Sequence, residues 1–156
     1  MKTLILYATK HGAAREIAHR ISDHMDGAVI HDLKQGGIPD LAEFDRVIIG
    51  SSLYAGSIRK EAKAFLAQHV SGLRQKTIGL FLSGIAAGEE EKYFTDNFPP
   101  DILQSAKASS FLGGIFDPEK AGKLERMVIK IVTKKASYRN TIEDEKIKMF
   151  AETMTS

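Results

Sequence analysis

The stretch Thr9-Lys10-His11-Gly12-Ala13-Ala14 combines small and hydroxyl side chains, one glycine and two cation-forming residues directly after an apolar run, Thr3 to Ala8. Where such a loop opens a helix, successive backbone N–H groups and the helix dipole favour an anion. The loop lacks the second glycine and following Lys-Ser/Thr of a Walker A motif, and it is not a GxGxxG fingerprint. A terminal phosphate therefore suits it better than a nucleotide triphosphate or a dinucleotide. Taken alone, it could equally be an ordinary strand-to-helix turn.

Two further loops carry complementary chemistry. In Ser51-Ser52-Leu53-Tyr54-Ala55-Gly56, Leu53 and Tyr54 offer apolar and aromatic faces on which a flavin ring could stack. Gly56 tolerates positive φ, so its peptide could turn a carbonyl toward a protonated ring nitrogen. By itself Tyr54 is simply a half-exposed loop aromatic. Ser83-Gly84-Ile85-Ala86-Ala87-Gly88 supplies small residues that let a planar ligand approach the backbone, or else a flexible loop. Position joins the three, because each follows an apolar run that reads as a strand.

Those runs are Thr3 to Ala8, Arg46 to Ser52 and Thr77 to Ser83, with weaker ones at Ala108 to Ile115 and Ala28 to His31. Between them lie helix-period stripes, Ile17, Ile21 and Met25, then Ile58, Ala62, Phe65 and Leu66. Alternating strands and helices predict an α/β fold with a doubly wound, five-stranded parallel sheet in the order 2-1-3-4-5. Such sheets hold ligands beyond the carboxyl ends of their strands, where the three loops fall. Pro99-Pro100 predicts two short helices in place of one long one between Glu89 and Ala106. The last helix is expected from about Thr141, capped by that hydroxyl with Asp144 reaching back, and burying Ile147, Phe150 and Met154.

The chain of 156 residues suits one domain spanning residues 1–156. With no cysteine, disulfides, thiolate catalysis and cysteine-held metal clusters are excluded, leaving redox chemistry to a bound cofactor. The five histidines show no metal-ligand spacing, so no metal is expected. A formal charge of +2 and the lack of an aromatic-studded basic motif give no reason to expect nucleic acid. The strand-like start at Thr3 leaves no room for a signal peptide, and no apolar run reaches the roughly 20 residues of a spanning helix, so a cytoplasmic location is expected.

The chain resembles the flavodoxin-like family, whose phosphate loop usually reads Thr-x-x-Gly-x-Thr. Within that family it is similar to the menaquinone-dependent protoporphyrinogen oxidase (protoporphyrinogen dehydrogenase) branch and its flavodoxin-domain relatives. The resemblance lies in Lys2 to Thr9, Gly12, Arg15-Glu16-Ile17-Ala18, Phe44 to Ser52, and Met127-Val128-Ile129-Lys130-Ile131-Val132 before the last helix. It implies FMN bound noncovalently at Thr9 to Ala14, Ser51 to Gly56 and Ser83 to Gly88. Ala14 departs from the family's final threonine and removes one hydroxyl contact to phosphate, worth about 1 kcal/mol. Lys10, His11 or Arg15 could compensate by charge.

The resemblance implies an oxidoreductase that takes electrons from a porphyrinogen or similar reduced substrate to a quinone. The alternative is a soluble electron carrier between redox protein partners, which the basic balance disfavours. A phosphate-receiving response regulator needs acids after the first strand and an Asp ending the third, where Tyr7-Ala8 and Gly50 stand. No catalytic side chain is identified, since flavin chemistry proceeds on the cofactor. Between the last strand and last helix, residues 117–138 form an extra helical segment. Lys120, Lys123, Arg126, Lys130 and Lys134 lie beside Leu124, Met127, Val128, Ile131 and Val132, a basic amphipathic pattern. That face could pack on the domain, on a second subunit in a homodimer, against substrate, or peripherally on the inner face of a membrane.

Overall fold

The computed structural model describes residues 1–85, 88–120, 122–123, 125–127 and 137–156. Its strands and helices follow the order β1 (Thr3–Ala8), α1 (Ala13–Ser22), β2 (Val29–Asp32), β3 (Arg46–Tyr54), β4 (Ser57–Ile58), α2 (Lys60–Leu73), β5 (Thr77–Ser83), α3 (Glu90–Asn97), α4 (Pro100–Ser105), β6 (Ala108–Phe111), β7 (Ile115–Phe116), β8 (Arg139–Asn140) and α5 (Asp144–Thr155). The main sheet runs β2-β1-β3-β5-β6, all parallel. These five strands, counted without the hairpin strand, have the expected order 2-1-3-4-5. β4 folds back antiparallel on β3 as a sixth strand, and β7 pairs with β8 in a separate ribbon.

Strand side chains alternate between two cores, which is why these runs are apolar almost throughout. Leu4, Leu6, Val47, Ile49, Leu80 and Leu82 pack on one face with Phe65 and Leu66 of α2, Phe94 of α3 and Ile102 of α4. Ile5, Tyr7, Ile48 and Phe81 pack on the other with Ile17 and Ile21 of α1 and Ile147, Phe150 and Met154 of α5. Full burial of each such side chain stabilises the fold by roughly 1.5–3 kcal/mol. The register levels the carboxyl ends of the central strands, with Ala8 beside Ser51, Ser51 beside Leu82 and Ser52 beside Ser83.

Several local expectations change. Ile58 belongs to β4, leaving Ala62, Phe65 and Leu66 as the buried stripe of α2. The fifth main strand, β6, stops at Phe111, and the chain then turns through Gly113 and Gly114 into β7. Thr141 does not cap the last helix, which starts at Asp144 with no side-chain cap. Its hydroxyl instead accepts from Gly114 N–H at 3.1 Å. Most of the basic amphipathic pattern, including Leu124, Val128, Lys130, Ile131, Val132 and Lys134, lies outside the described residues, as do Ala86 and Ala87. Lys120, Lys123, Arg126 and Met127 are exposed. No helix among the described residues is long and apolar enough to cross a membrane.

Gly50 shows how tightly the sheet meets its helices. A Cβ there would stand 1.9 Å from the Phe81 ring, which fills the space above it. Gly50→Ala should therefore lower stability by about 1–3 kcal/mol through overpacking. Urea denaturation checks this, and Phe81→Leu in the same chain should recover part of the loss.

Candidate functional site

The loops after β1, β3 and β5 meet around one cavity. Its walls are Thr9, Lys10, His11, Ala13, Ser52, Leu53, Tyr54, Ala55, Ser83, Gly84, Ile85, Gly114, Ile115, Phe116 and Glu125. Eleven of these belong to the three loops singled out from sequence. Gly114, Ile115, Phe116 and Glu125 do not, and they close the side that sequence reading left open.

The first loop is shaped by short hydrogen bonds. Gly12 takes φ 103°, a left-handed conformation that suits glycine, and immediately precedes α1. Its N–H donates to Thr9 Oγ1 at 2.8 Å, while Lys10 N–H donates to Ser52 Oγ at 3.2 Å, tying the first loop to the second. The N–H groups of Ala13 and Ala14 begin the helix, where no earlier turn can accept from them. Ala14 has no exposed side-chain surface and packs in the core with Ile5 and Ile17. Ala14 lines neither the cavity nor the groove beside it, so it is a core residue here. Gly12 lines a neighbouring groove with Arg15 and His19 rather than this cavity.

In the second loop, Ser51 is a structural residue. Its buried hydroxyl accepts from Arg59 N–H and donates to Ser52 O, both at 2.9 Å. Ala55 and Gly56 make the two-residue β3–β4 turn with φ values of 50° and 80°. A turn with both central residues left-handed matches strand twist but costs a non-glycine residue such as Ala55 roughly 1–2 kcal/mol. Asn97, at the end of α3, holds it in place. Its amide donates to Gly56 O and Tyr93 O, each at 2.8 Å, and its carbonyl accepts from Ile58 N–H at 3.0 Å. The Gly56 carbonyl is thus engaged by Asn97, and Gly56 faces a different groove.

The third loop contributes the most telling atom. Ser83 is 1% exposed, lines the cavity, and its Oγ has no hydrogen-bond partner among the described residues. A buried hydroxyl left this way is costly unless something in the cavity completes it. Beside it Gly84 N–H donates to Gly113 O at 3.1 Å, and a Cβ on Gly114 would come within 2.9 Å of the Gly84 backbone. Small residues on both segments let the backbone itself form this wall. Gly88 does not line the cavity; its N–H donates to Glu90 at the start of α3.

Charge gathers at the mouth. Glu125 pairs with Lys10, and its other oxygen lies 2.7 Å from His11 Nε2. Burial pushes the Glu125 carboxyl up, but hydrogen bonds and charge from Lys10 and His11 outweigh that and hold it below its ordinary value. This cluster therefore stabilises the fold above the ordinary carboxylate range and loses its contribution as pH falls through the lowered value. Among the described residues no three His, Cys, Asp or Glu side chains gather as a metal site.

A doubly wound parallel sheet whose cavity sits beyond its strand ends, opening onto a helix start, defines a flavodoxin-type protein. Residues 4–142 match the family described as Flavodoxin domain, and the chain belongs to that family. Its function is accordingly of the flavodoxin redox type. The chain is 29% identical over 99 residues to the protoporphyrinogen IX dehydrogenase (quinone) of Escherichia coli strain K12, covering 59% of this chain and 53% of that protein. It thus spans about half the length of the curated relatives it matches. Oxidised Flavodoxin 2 from Bacillus cereus superposes with a TM-score of 0.61 at 20% identity, covering 99% of this chain and 98% of the other. A flavoprotein in complex with FMN from Lactobacillus acidophilus NCFM gives a TM-score of 0.50 at 18% identity, covering 72% and 90%. At these identities the two structures speak to the fold.

The Asn97 contacts predict their own test. Asn97→Ala strands the Ile58 N–H and the Gly56 carbonyl, and should cost about 1–3 kcal/mol of stability. Amide hydrogen exchange should then rise first at Ser57 and Ile58, before the central strands respond.

Proposed function

We propose that this chain, as one flavodoxin-like domain, binds FMN noncovalently in the cavity and serves as a quinone-linked oxidoreductase similar to protoporphyrinogen dehydrogenase. The observation that carries the cofactor is the buried, unpartnered Ser83 hydroxyl in a wall shared by all three loops. It fits a ligand with polar atoms along a ring edge or polyol chain. The helix start at Ala13 suits a terminal phosphate, with Lys10 as counter-charge and His11 as a hydrogen-bonding partner in the same loop. Leu53 and Tyr54 supply the stacking surface, and Ile115 and Phe116 add apolar wall that keeps water from the ring.

FMN held there would supply two-electron redox chemistry between a reduced donor and a quinone. The protein's part is to bind, orient and shield. Similarity to the Escherichia coli enzyme supports the quinone as acceptor and a porphyrinogen as donor. A cytoplasmic location with peripheral membrane contact through residues 117–138, where exposed Lys120, Lys123 and Arg126 sit, would bring the site to a membrane quinone.

The purified chain should bind FMN at micromolar concentration with quenched flavin fluorescence. Ser83→Ala should weaken that binding about threefold to tenfold, the loss of one hydrogen bond, while leaving the ligand-free chain as stable or more so. No binding by the unaltered chain would overturn the cofactor assignment. With FMN loaded, anaerobic protoporphyrinogen should drive reduction of an added menaquinone analogue. Absence of turnover, together with rapid exchange of single electrons with redox proteins, would favour the carrier.

A further inference from the structure

The main cavity holds only about 120 Å³, whereas sites that enclose a ring-bearing ligand run to roughly 300–1,000 Å³. Charged side chains gather at its mouth. Lys10 sets its Nζ 4.1 Å from the centroid of the Tyr54 ring. It is paired there with Glu125, whose second oxygen reaches His11 at 2.7 Å. The Glu125 side chain is only 12% exposed, so the carboxylate is drawn into the mouth rather than left in solvent.

These contacts join parts of the chain more than a hundred residues apart. A carboxylate held by a lysine and a histidine offers the same partners anionic acceptor oxygens, as a ligand phosphate would, with fewer oxygens and less charge. We propose that Glu125 is an internal competitor for the phosphate of the bound ligand, satisfying Lys10 and His11 until that phosphate displaces it. The proposal rests on the FMN reading above and adds a specificity element to it. A ligand without an anionic group leaves the Glu125 contacts in place and gains nothing from Lys10 and His11. A ligand with one takes over both partners as the carboxylate leaves.

The cost is set by how often the pair is closed. If Lys10 and His11 are free about one-tenth of the time, apparent affinity is about tenfold below the intrinsic value. Removing the charge at position 125 should restore it.

The test uses the full chain, unaltered and with Glu125→Gln, titrated with FMN and with riboflavin, which lacks the phosphate. Glu125→Gln should tighten FMN binding about tenfold, mostly through faster association, and should change riboflavin binding less than about threefold. Carbodiimide coupling supplies a second readout that does not depend on affinity. In the ligand-free chain it should join Lys10 to Glu125 by an amide seen in peptide mass spectra, and saturating FMN should suppress that product. Equal FMN affinity and rates in both chains, or coupling undiminished by FMN, would overturn the competitor while leaving the cofactor assignment intact. If neither chain binds FMN, the cofactor assignment falls first and the competitor falls with it.

Discussion

The cavity exists because β1 and β5 end within one residue of each other against β3, which runs on past both into its hairpin. That alignment comes from burial on both faces of the sheet. A one-residue slip of any central strand would exchange its two sets of apolar side chains between cores shaped by different helices. Leu4 and Leu6 answer to α2, Ile5 and Tyr7 to α1, and neither set fits the other side. Gly50 under the Phe81 ring fixes the same register from a second direction. The loops inherit their positions from these contacts, so the site's geometry is a by-product of core packing.

On that frame the site balances satisfied and unsatisfied groups. Ser51 and Asn97 spend their polar atoms on the backbone and make the second loop rigid. Ser83 keeps its hydroxyl uncommitted in an otherwise completed wall. A hydroxyl of that kind gives up stability in the ligand-free protein in return for a contact made only when the cavity is filled. The strained Ala55 conformation belongs to the same pattern, since a neighbouring side chain holds a turn that local preference would not choose.

Much of this was legible in the sequence, for identifiable reasons. Strands buried on two faces are dense in Val, Ile and Leu, so Thr3–Ala8 and Thr77–Ser83 showed their full extent. Pro99-Pro100 marked the break between α3 and α4 because proline cannot continue a helix. The three loops stood out through glycine, serine and small residues at strand ends. Other features left no local trace. Ile58 has helical spacing to Ala62, yet it pairs across a turn whose partner is Leu53. Thr141 has the look of a cap, but its hydroxyl finds Gly114, 27 residues earlier. Glu125 carries no motif at all, since its role depends on two side chains at the opposite end of the chain. Periodicity and turn chemistry report neighbours in sequence, and these contacts are between strangers.

β7 and β8 pair with each other and not with the main sheet. The stretch between them therefore begins and ends at adjacent points, on a ribbon whose closure does not depend on that stretch's length. Doubling a loop anchored in this way costs only about 0.6 kcal/mol of closure entropy. Evolution can thus treat this stretch as an exchangeable cassette, lengthening, shortening or recoding it without disturbing the sheet. One side chain of that cassette already reaches the cavity mouth, so changes in it offer a route to altering what enters the site while the cofactor loops stay as they are.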